Sequence, residues 1–241
     1  MPHWIVFAFL AAAPVLGACA TTSTGAPTRP PDAPPTPASI SPKQPGGDAA
    51  DAEAAALLRL AKEDWGTKRD RWKTLRVPLA DWKNWRRVRL WGQPTRATYR
   101  YGDDHYAVTS IWYQRTEGKD DPDACLAKFL DLTVPIAKSF DVKLGAPKVT
   151  RASQRIDGED RPMLIEVVDG AVESLFSSDE YVGAVAAYQS WPGTCLVQGF
   201  AVVAGNHRDL AVKVRDRWVA EGAAKLAWEK GLKEAPEPKA R

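Results

Sequence analysis

Cysteine, histidine and methionine are scarce in this chain, whose 241 residues include three Cys, three His and two Met. The cysteines form no Cys-x-x-Cys pair, and no histidine stands in a His-Glu-x-x-His spacing. Structural and catalytic zinc sites are built from such spacings. The sequence therefore predicts no metal site and no cofactor.

Motifs of the common nucleophilic enzymes are also missing, since the chain has no Gly-x-Ser-x-Gly, no Ser-x-x-Lys and no glycine-rich phosphate loop. Cys195 and His207 are the one Cys/His pair close in sequence, but a separation of twelve positions across a predicted strand and turn favours opposite ends of that strand. We therefore expect no enzymatic activity. The alternative is an envelope hydrolase with an unrecognised site near His105 or His207.

The apolar run at residues 4–16 is too short to cross a bilayer, which takes about 20 residues, and suits the core of a signal peptide. It ends in Leu16-Gly17-Ala18-Cys19, which resembles the lipobox of bacterial lipoproteins. The resemblance implies that a signal peptide, residues 1–18, is removed and that Cys19 receives lipid. The start departs from the pattern because Met1-Pro2-His3 lacks Lys and Arg. An ordinary secretory signal and a short hydrophobic anchor are the alternatives.

Residues 19–50 are dominated by Pro, Thr, Ser, Ala and Gly. Such a segment cannot bury enough apolar surface to offset its conformational entropy, so we predict a disordered linker behind the lipid. One domain is expected over residues 51–232, and residues 233–241 should form a disordered tail. Ala20 replaces the aspartate associated with inner-membrane retention, so the resemblance implies a lipid-anchored protein of the cell envelope, at the outer membrane.

Cys125 and Cys195 remain once Cys19 carries lipid. Two cysteines left over in an oxidising compartment usually pair, so the sequence predicts a disulfide between them. Two separate buried thiols are the first alternative. A catalytic thiol comes third, because nothing nearby is suited to lowering a thiol pKa.

The periodicity of apolar residues predicts an antiparallel α+β single domain with helices packed on a sheet. A first helix should run from Ala50 to about Arg71 and pack loosely, a second should begin after Asp121, and a third near Arg208. Strands are expected near residues 85–91, 95–101, 105–115, 148–156, 163–168, 172–176, 181–191 and 194–204, with Asp169-Gly170 as one of the turns. In this order of elements the chain is similar to the Mog1/PsbP-like fold.

Positive charge is concentrated between Lys62 and Arg100, where twelve Lys or Arg residues stand against four acids. Within this region aromatic and basic residues interleave, and we call the following set the Arg/Trp segment: Trp82, Lys83, Trp85, Arg86, Arg87, Arg89, Trp91, Arg96 and Arg100. Guanidinium groups pair with phosphate or carboxylate, and indole rings stack on sugars or lie among lipid headgroups. The alternative is the ordinary solvated face of an antiparallel sheet.

These observations predict a lipid-anchored envelope protein that acts as a non-enzymatic binding or accessory module. Its partner would be a second envelope protein or an anionic envelope component such as a polymer, and it would contact the membrane through lipid on Cys19. Nucleic acid is not expected, because an exported domain rarely meets it. A purely structural accessory subunit is a further alternative.

Overall fold

The computed structural model describes residues 47–66, 69–88, 95–103, 105–115, 121–138, 142–173, 178–190 and 194–229. The predicted signal peptide, Cys19, residues 19–46 of the predicted linker, Arg89, Trp91 and the predicted tail lie outside these residues. Among the described helices, none combines the length and the apolar character needed to cross a bilayer.

An eight-stranded antiparallel sheet forms the centre of the described structure. Its strands are β3 (Trp85–Val88), β4 (Arg96–Tyr101), β5 (Ala107–Arg115), β6 (Val142–Leu144), β7 (Lys148–Ile156), β8 (Glu159–Glu173), β9 (Ser178–Tyr188) and β10 (Thr194–Val203). They are arranged in the order β3-β4-β5-β10-β9-β8-β6, and β7 also pairs with β8. The predicted fold class, an α+β single domain with an antiparallel sheet and packed helices, is confirmed.

Strand β8 corrects one prediction, because Asp169-Gly170 is not a turn and the two short strands expected around it are one strand of 15 residues. One edge pairs with β9 from Met163 to Glu173, while the other edge pairs first with β7 and then with β6. Asp169 is fixed by salt bridges to Arg208 and Arg215, at 2.6 and 2.7 Å. Strand partners on both edges of β8 thus hold Asp169-Gly170 in an extended conformation, although the composition of this dipeptide is typical of turns.

A small antiparallel sheet of three strands lies beside the large one: β1 (Arg69–Trp72), β2 (Leu75–Pro78) and β11 (Ala227–Trp228). The first helix, α1 (Gly47–Lys62), ends before this sheet, so the expected helix to Arg71 is wrong at its C-terminal end. The expectation of loose packing is also wrong, because Leu57 and Leu60 are fully buried. Gly66, at φ +107°, turns the chain between helix and sheet in a conformation that favours glycine.

The first face of the large sheet carries an extensive aromatic core. Helix α1, helix α3 (Arg208–Arg217) and the small sheet all contribute buried residues to it. Phe200 of β10 stacks on Trp218 with ring centroids 5.1 Å apart. Trp65 packs edge-on against Phe200, with ring centroids 5.4 Å apart. Trp218 begins a π-helical turn, Trp218–Gly222, that follows α3.

The second face is covered by helix α2 (Pro122–Lys138), which packs on β8, β9 and β10. This helix begins as predicted, since the Asp121 carboxylate accepts a hydrogen bond from the backbone N–H of Ala124 at 2.8 Å. Cys125 in its first turn is bonded to Cys195 on β10, and their Cα atoms are 5.2 Å apart. The structure thus contains the predicted disulfide, which ties the one covering helix to a central strand.

Candidate functional site

The large sheet divides the Arg/Trp segment between its two faces. Trp85 and Arg87 of β3 lie opposite Tyr101 and Tyr99 of β4, on the face that carries the aromatic core. Arg86 lies opposite Arg100, on the other face. Because directly paired residues share a face and successive residues alternate, the segment cannot act as one continuous surface.

One part of the segment lines a cleft of about 290 Å³ between strand β1 of the small sheet and strands β3 and β4 of the large one. We call it the Trp82 cleft. Four of its lining residues belong to the Arg/Trp segment: Trp82, Lys83, Trp85 and Arg87. Three others complete the wall: Asp70, Leu79 and Tyr99. The cleft therefore combines indole rings, two cations, a carboxylate and a phenol.

Trp82 stands out among these residues because 49% of it is exposed, although it is a large apolar side chain. It begins a short 3-10 turn, Trp82–Asn84, which also carries the exposed Lys83. Trp85, which ends the turn, is buried and donates its indole N–H to the carbonyl oxygen of Ala80 at 2.7 Å. The turn thus presents one indole to solvent and fixes the next in the wall.

Asp81 holds this turn in place. Its backbone lies in the left-handed region at φ +47°, which is unusual for a residue with a side chain. Its Oδ2 accepts hydrogen bonds from Asn84 at 2.7 Å and from Tyr101 at 2.5 Å, and Arg59 of α1 lies 3.5 Å away in a salt bridge. Burial, together with the Asp81 carboxylate, raises the pKa of Tyr101 to about 12, so this phenol stays a hydrogen-bond donor at neutral pH.

Asp70 places a carboxylate in the same cleft. Its Oδ2 accepts a hydrogen bond from the Tyr99 hydroxyl at 2.8 Å and one from Nη1 of Arg87 at 3.3 Å. Nη1 of Arg87 also donates to the carbonyl oxygen of Arg71. Burial and the adjacent Asp70 hold the pKa of Tyr99 well above its ordinary value. Both of these contacts from described residues end on Oδ2, so Oδ1 has the capacity to accept a further hydrogen bond.

The other described arginines of the segment, Arg86, Arg96 and Arg100, lie on the opposite face of β3 and β4. Arg86 forms a salt bridge to Asp103 at 2.9 Å, and Nη1 of Arg100 lies 3.1 Å from Nε2 of His105. Arg96 donates to the Ser110 hydroxyl at 3.4 Å, and burial lowers its pKa to about 10. None of these three side chains lines the Trp82 cleft.

The two histidines of the alternative hypothesis lie apart from this cleft. His105 is exposed, with a backbone φ of +62°, beside Arg100. His207 precedes α3, and its Nε2 donates to the carbonyl oxygen of Ala50 at 3.1 Å. Glu53 of α1 lies near His207. Burial raises the pKa of the Glu53 carboxyl, and His207 offsets only part of that rise. Cys195, bonded to Cys125, is not available to either histidine as a nucleophile.

Glu166 is a buried acid on the α2 side of the sheet that the sequence did not single out. It lies in β8, opposite Val149 and Val185, is only 1% exposed, and neither carboxylate oxygen has a hydrogen-bond partner. Desolvation raises its pKa to about 7. No group of three His, Cys, Asp or Glu residues in the described ranges is arranged to hold a metal ion.

Sequence reasoning missed Asp70, Leu79 and the wall position of Tyr99. The predicted first helix includes Asp70, and nothing in that helix indicates a binding site. In the structure Asp70 belongs to β1. Residues alternate along β4, so Tyr99 and Tyr101 lie on one face and Arg96 and Arg100 on the other. Applying that alternation to β3 would have separated Arg86 from Arg87.

No protein-family model and no curated protein matches this chain. Among solved structures, the solution structure of CyanoP, the cyanobacterial PsbP of Synechocystis sp. PCC 6803, is similar to it. The TM-score is 0.43 and the sequence identity 12%, over 64% of this chain and 88% of that chain. A likeness at this score and identity is not evidence of what the chain binds.

Proposed function

We propose that this chain is a non-enzymatic binding module of a cell envelope and that it holds an anionic envelope component at the Trp82 cleft. One observation carries the proposal: a half-exposed indole, Trp82, lines a formed cleft together with Lys83 and Arg87. Tryptophan and arginine are enriched where proteins bind partners. The indole ring contributes a large contact area, and the planar guanidinium contributes several hydrogen-bond donors.

Attachment to the envelope is part of the same proposal. Lipid on Cys19 would anchor the module at the outer membrane, and the proline-rich segment after it would act as a spacer. Membrane fractionation tests this, with Cys19→Ser as the variant. We expect the native protein in the membrane fraction and the variant in the soluble fraction, and mass spectrometry should find the acyl groups on Cys19. A native protein without acyl groups would contradict the anchoring.

Binding is tested by sedimentation of the soluble domain with purified sacculi and, separately, with phosphatidylglycerol vesicles. The double variant Trp82→Ala/Lys83→Glu should lose binding to at least one of them, because it removes the exposed ring and reverses a charge at the cleft. Lys148→Glu is a matched control, since this exposed lysine lies at the start of β7, near the opposite edge of the sheet. Equal sedimentation of the double variant and the native domain with both materials would refute the cleft as the binding site.

A further inference from the structure

The charges of the Trp82 cleft are nearly balanced, although the surrounding sequence is strongly basic. Among the described residues of its wall, Arg87 is paired with Asp70, which leaves Lys83 as the other charged residue. A site for a polyanion gains affinity from several unpaired cations, and a carboxylate inside it repels the ligand. The cleft is therefore poorly suited to a densely charged polymer.

The donors and acceptors of the cleft instead fit a ligand that both donates and accepts hydrogen bonds. Asp70 Oδ1 can accept from a hydroxyl, and Nζ of Lys83 can donate to an oxygen. Trp82 offers an exposed ring on which a flat, partly apolar face can stack. A sugar ring has these three properties together, since its C–H face is apolar and its hydroxyls donate and accept.

From this combination we infer that the ligand of the Trp82 cleft is a saccharide chain with sparse negative charge. Trp82 stacks on a sugar ring, Asp70 accepts from a ring hydroxyl, and Lys83 pairs with an isolated carboxylate substituent. The inference rests on the proposed function, and it specifies the chemical class of the envelope component.

The test is isothermal titration of the soluble domain with two probes. The first is a mixture of soluble glycan strands, freed from sacculi by amidase digestion, which carry one carboxylate per disaccharide. The second is polyphosphate, which carries a charge on every unit. Trp82→Ala should weaken glycan binding about tenfold, because aromatic contacts of this kind contribute about one order of magnitude.

Asp70→Asn separates the two classes of ligand by the direction of its effect. Asparagine can still accept from the Tyr99 hydroxyl, so the wall keeps its shape, but a neutral acceptor binds a sugar hydroxyl less strongly than a carboxylate does. We expect glycan binding to weaken about tenfold and any polyphosphate binding to tighten. Raising the salt concentration should change glycan affinity little and reduce polyphosphate affinity steeply.

The outcomes distinguish the saccharide inference from the proposed function. Glycan binding that depends on both Trp82 and Asp70 supports both. Polyphosphate binding that tightens in Asp70→Asn, without glycan binding, overturns the saccharide inference and leaves an anion-binding module. Glycan binding that neither substitution changes overturns the assignment to this cleft. If the folded domain binds neither probe and sediments with neither sacculi nor vesicles, both proposals fall.

Discussion

The two faces of the large sheet are covered in different ways. The first carries an extensive core built from α1, α3, the small sheet and several aromatic rings. The second carries a smaller core under one helix, α2, and it includes the Cys125–Cys195 disulfide and the buried carboxylate of Glu166. One face is thus stabilised by packed apolar area, whereas the other adds a covalent link and retains an ionisable group.

The largest effect should come from the aromatic face. Trp218→Ala removes a fully buried ring that stacks on Phe200, so we expect the free energy of unfolding to fall by about 4 kcal/mol in chemical denaturation. Trp218→Phe is the matched control. It keeps an aromatic ring and removes an indole N–H that has no partner, so it should cost clearly less. Equal losses in the two variants would show that the stack contributes little.

Loss of the disulfide should have an effect of similar size, on the other face. The double variant Cys125→Ala/Cys195→Ala frees a loop with a sequence separation of 70, which in the chain-entropy account lowers the free energy of unfolding by roughly 4 kcal/mol. Hydrogen exchange should show faster opening of α2 than of α3, because α2 is the one described helix on its face. Uniformly faster exchange across both helices would instead mean that the two faces open together.

Glu166 should make the stability of the second face depend on pH. Its pKa is raised from about 4.5 to about 7, so the folded state keeps a proton that the unfolded state releases. The stabilisation is complete below pH 4.5 and is lost as the pH rises through 7, a decrease of about 3 kcal/mol. Denaturation between pH 5 and 8 should show this decrease in the native protein. Glu166→Gln should not show the decrease, and an identical slope in that variant would assign it to other groups.

The smallest effect should come from the start of α2. Asp121→Ala removes the carboxylate that accepts from the Ala124 N–H, which should lower the free energy of unfolding by about 1 kcal/mol in thermal or chemical denaturation. Asp121→Asn retains an acceptor and should recover most of the loss. A variant as stable as the native protein would mean that the disulfide alone holds this end of the helix.

The fold class, the start of α2 and the disulfide followed from the sequence because they depend on local signals. An N-terminal acid precedes Pro122, β4 alternates cleanly, and two cysteines remain after the leader. The small sheet did not follow, since β1, β2 and β11 are short and β11 lies far from the others in sequence. The same holds for β8, where pairing on both edges overrides a dipeptide typical of turns.

The candidate site followed only in part. The aromatic and basic composition pointed to the correct stretch, and Trp82, Lys83, Trp85 and Arg87 do share one cleft. Asp70 could not be found from composition, because its place beside Tyr99 depends on a contact between residues 29 positions apart. The burial of Glu166 likewise depends on the strands on either side of it.

The turn held by Asp81 has a consequence for affinity. Tyr101, Asn84 and Arg59 all contact that one carboxylate, so the backbone that carries Trp82 is fixed before any ligand arrives. The conformational entropy needed to order this segment is then lost during folding and not during association. A ligand that stacks on the Trp82 ring therefore binds a preorganised surface. A larger share of the contact energy is then available as affinity than if the segment had to become ordered on binding.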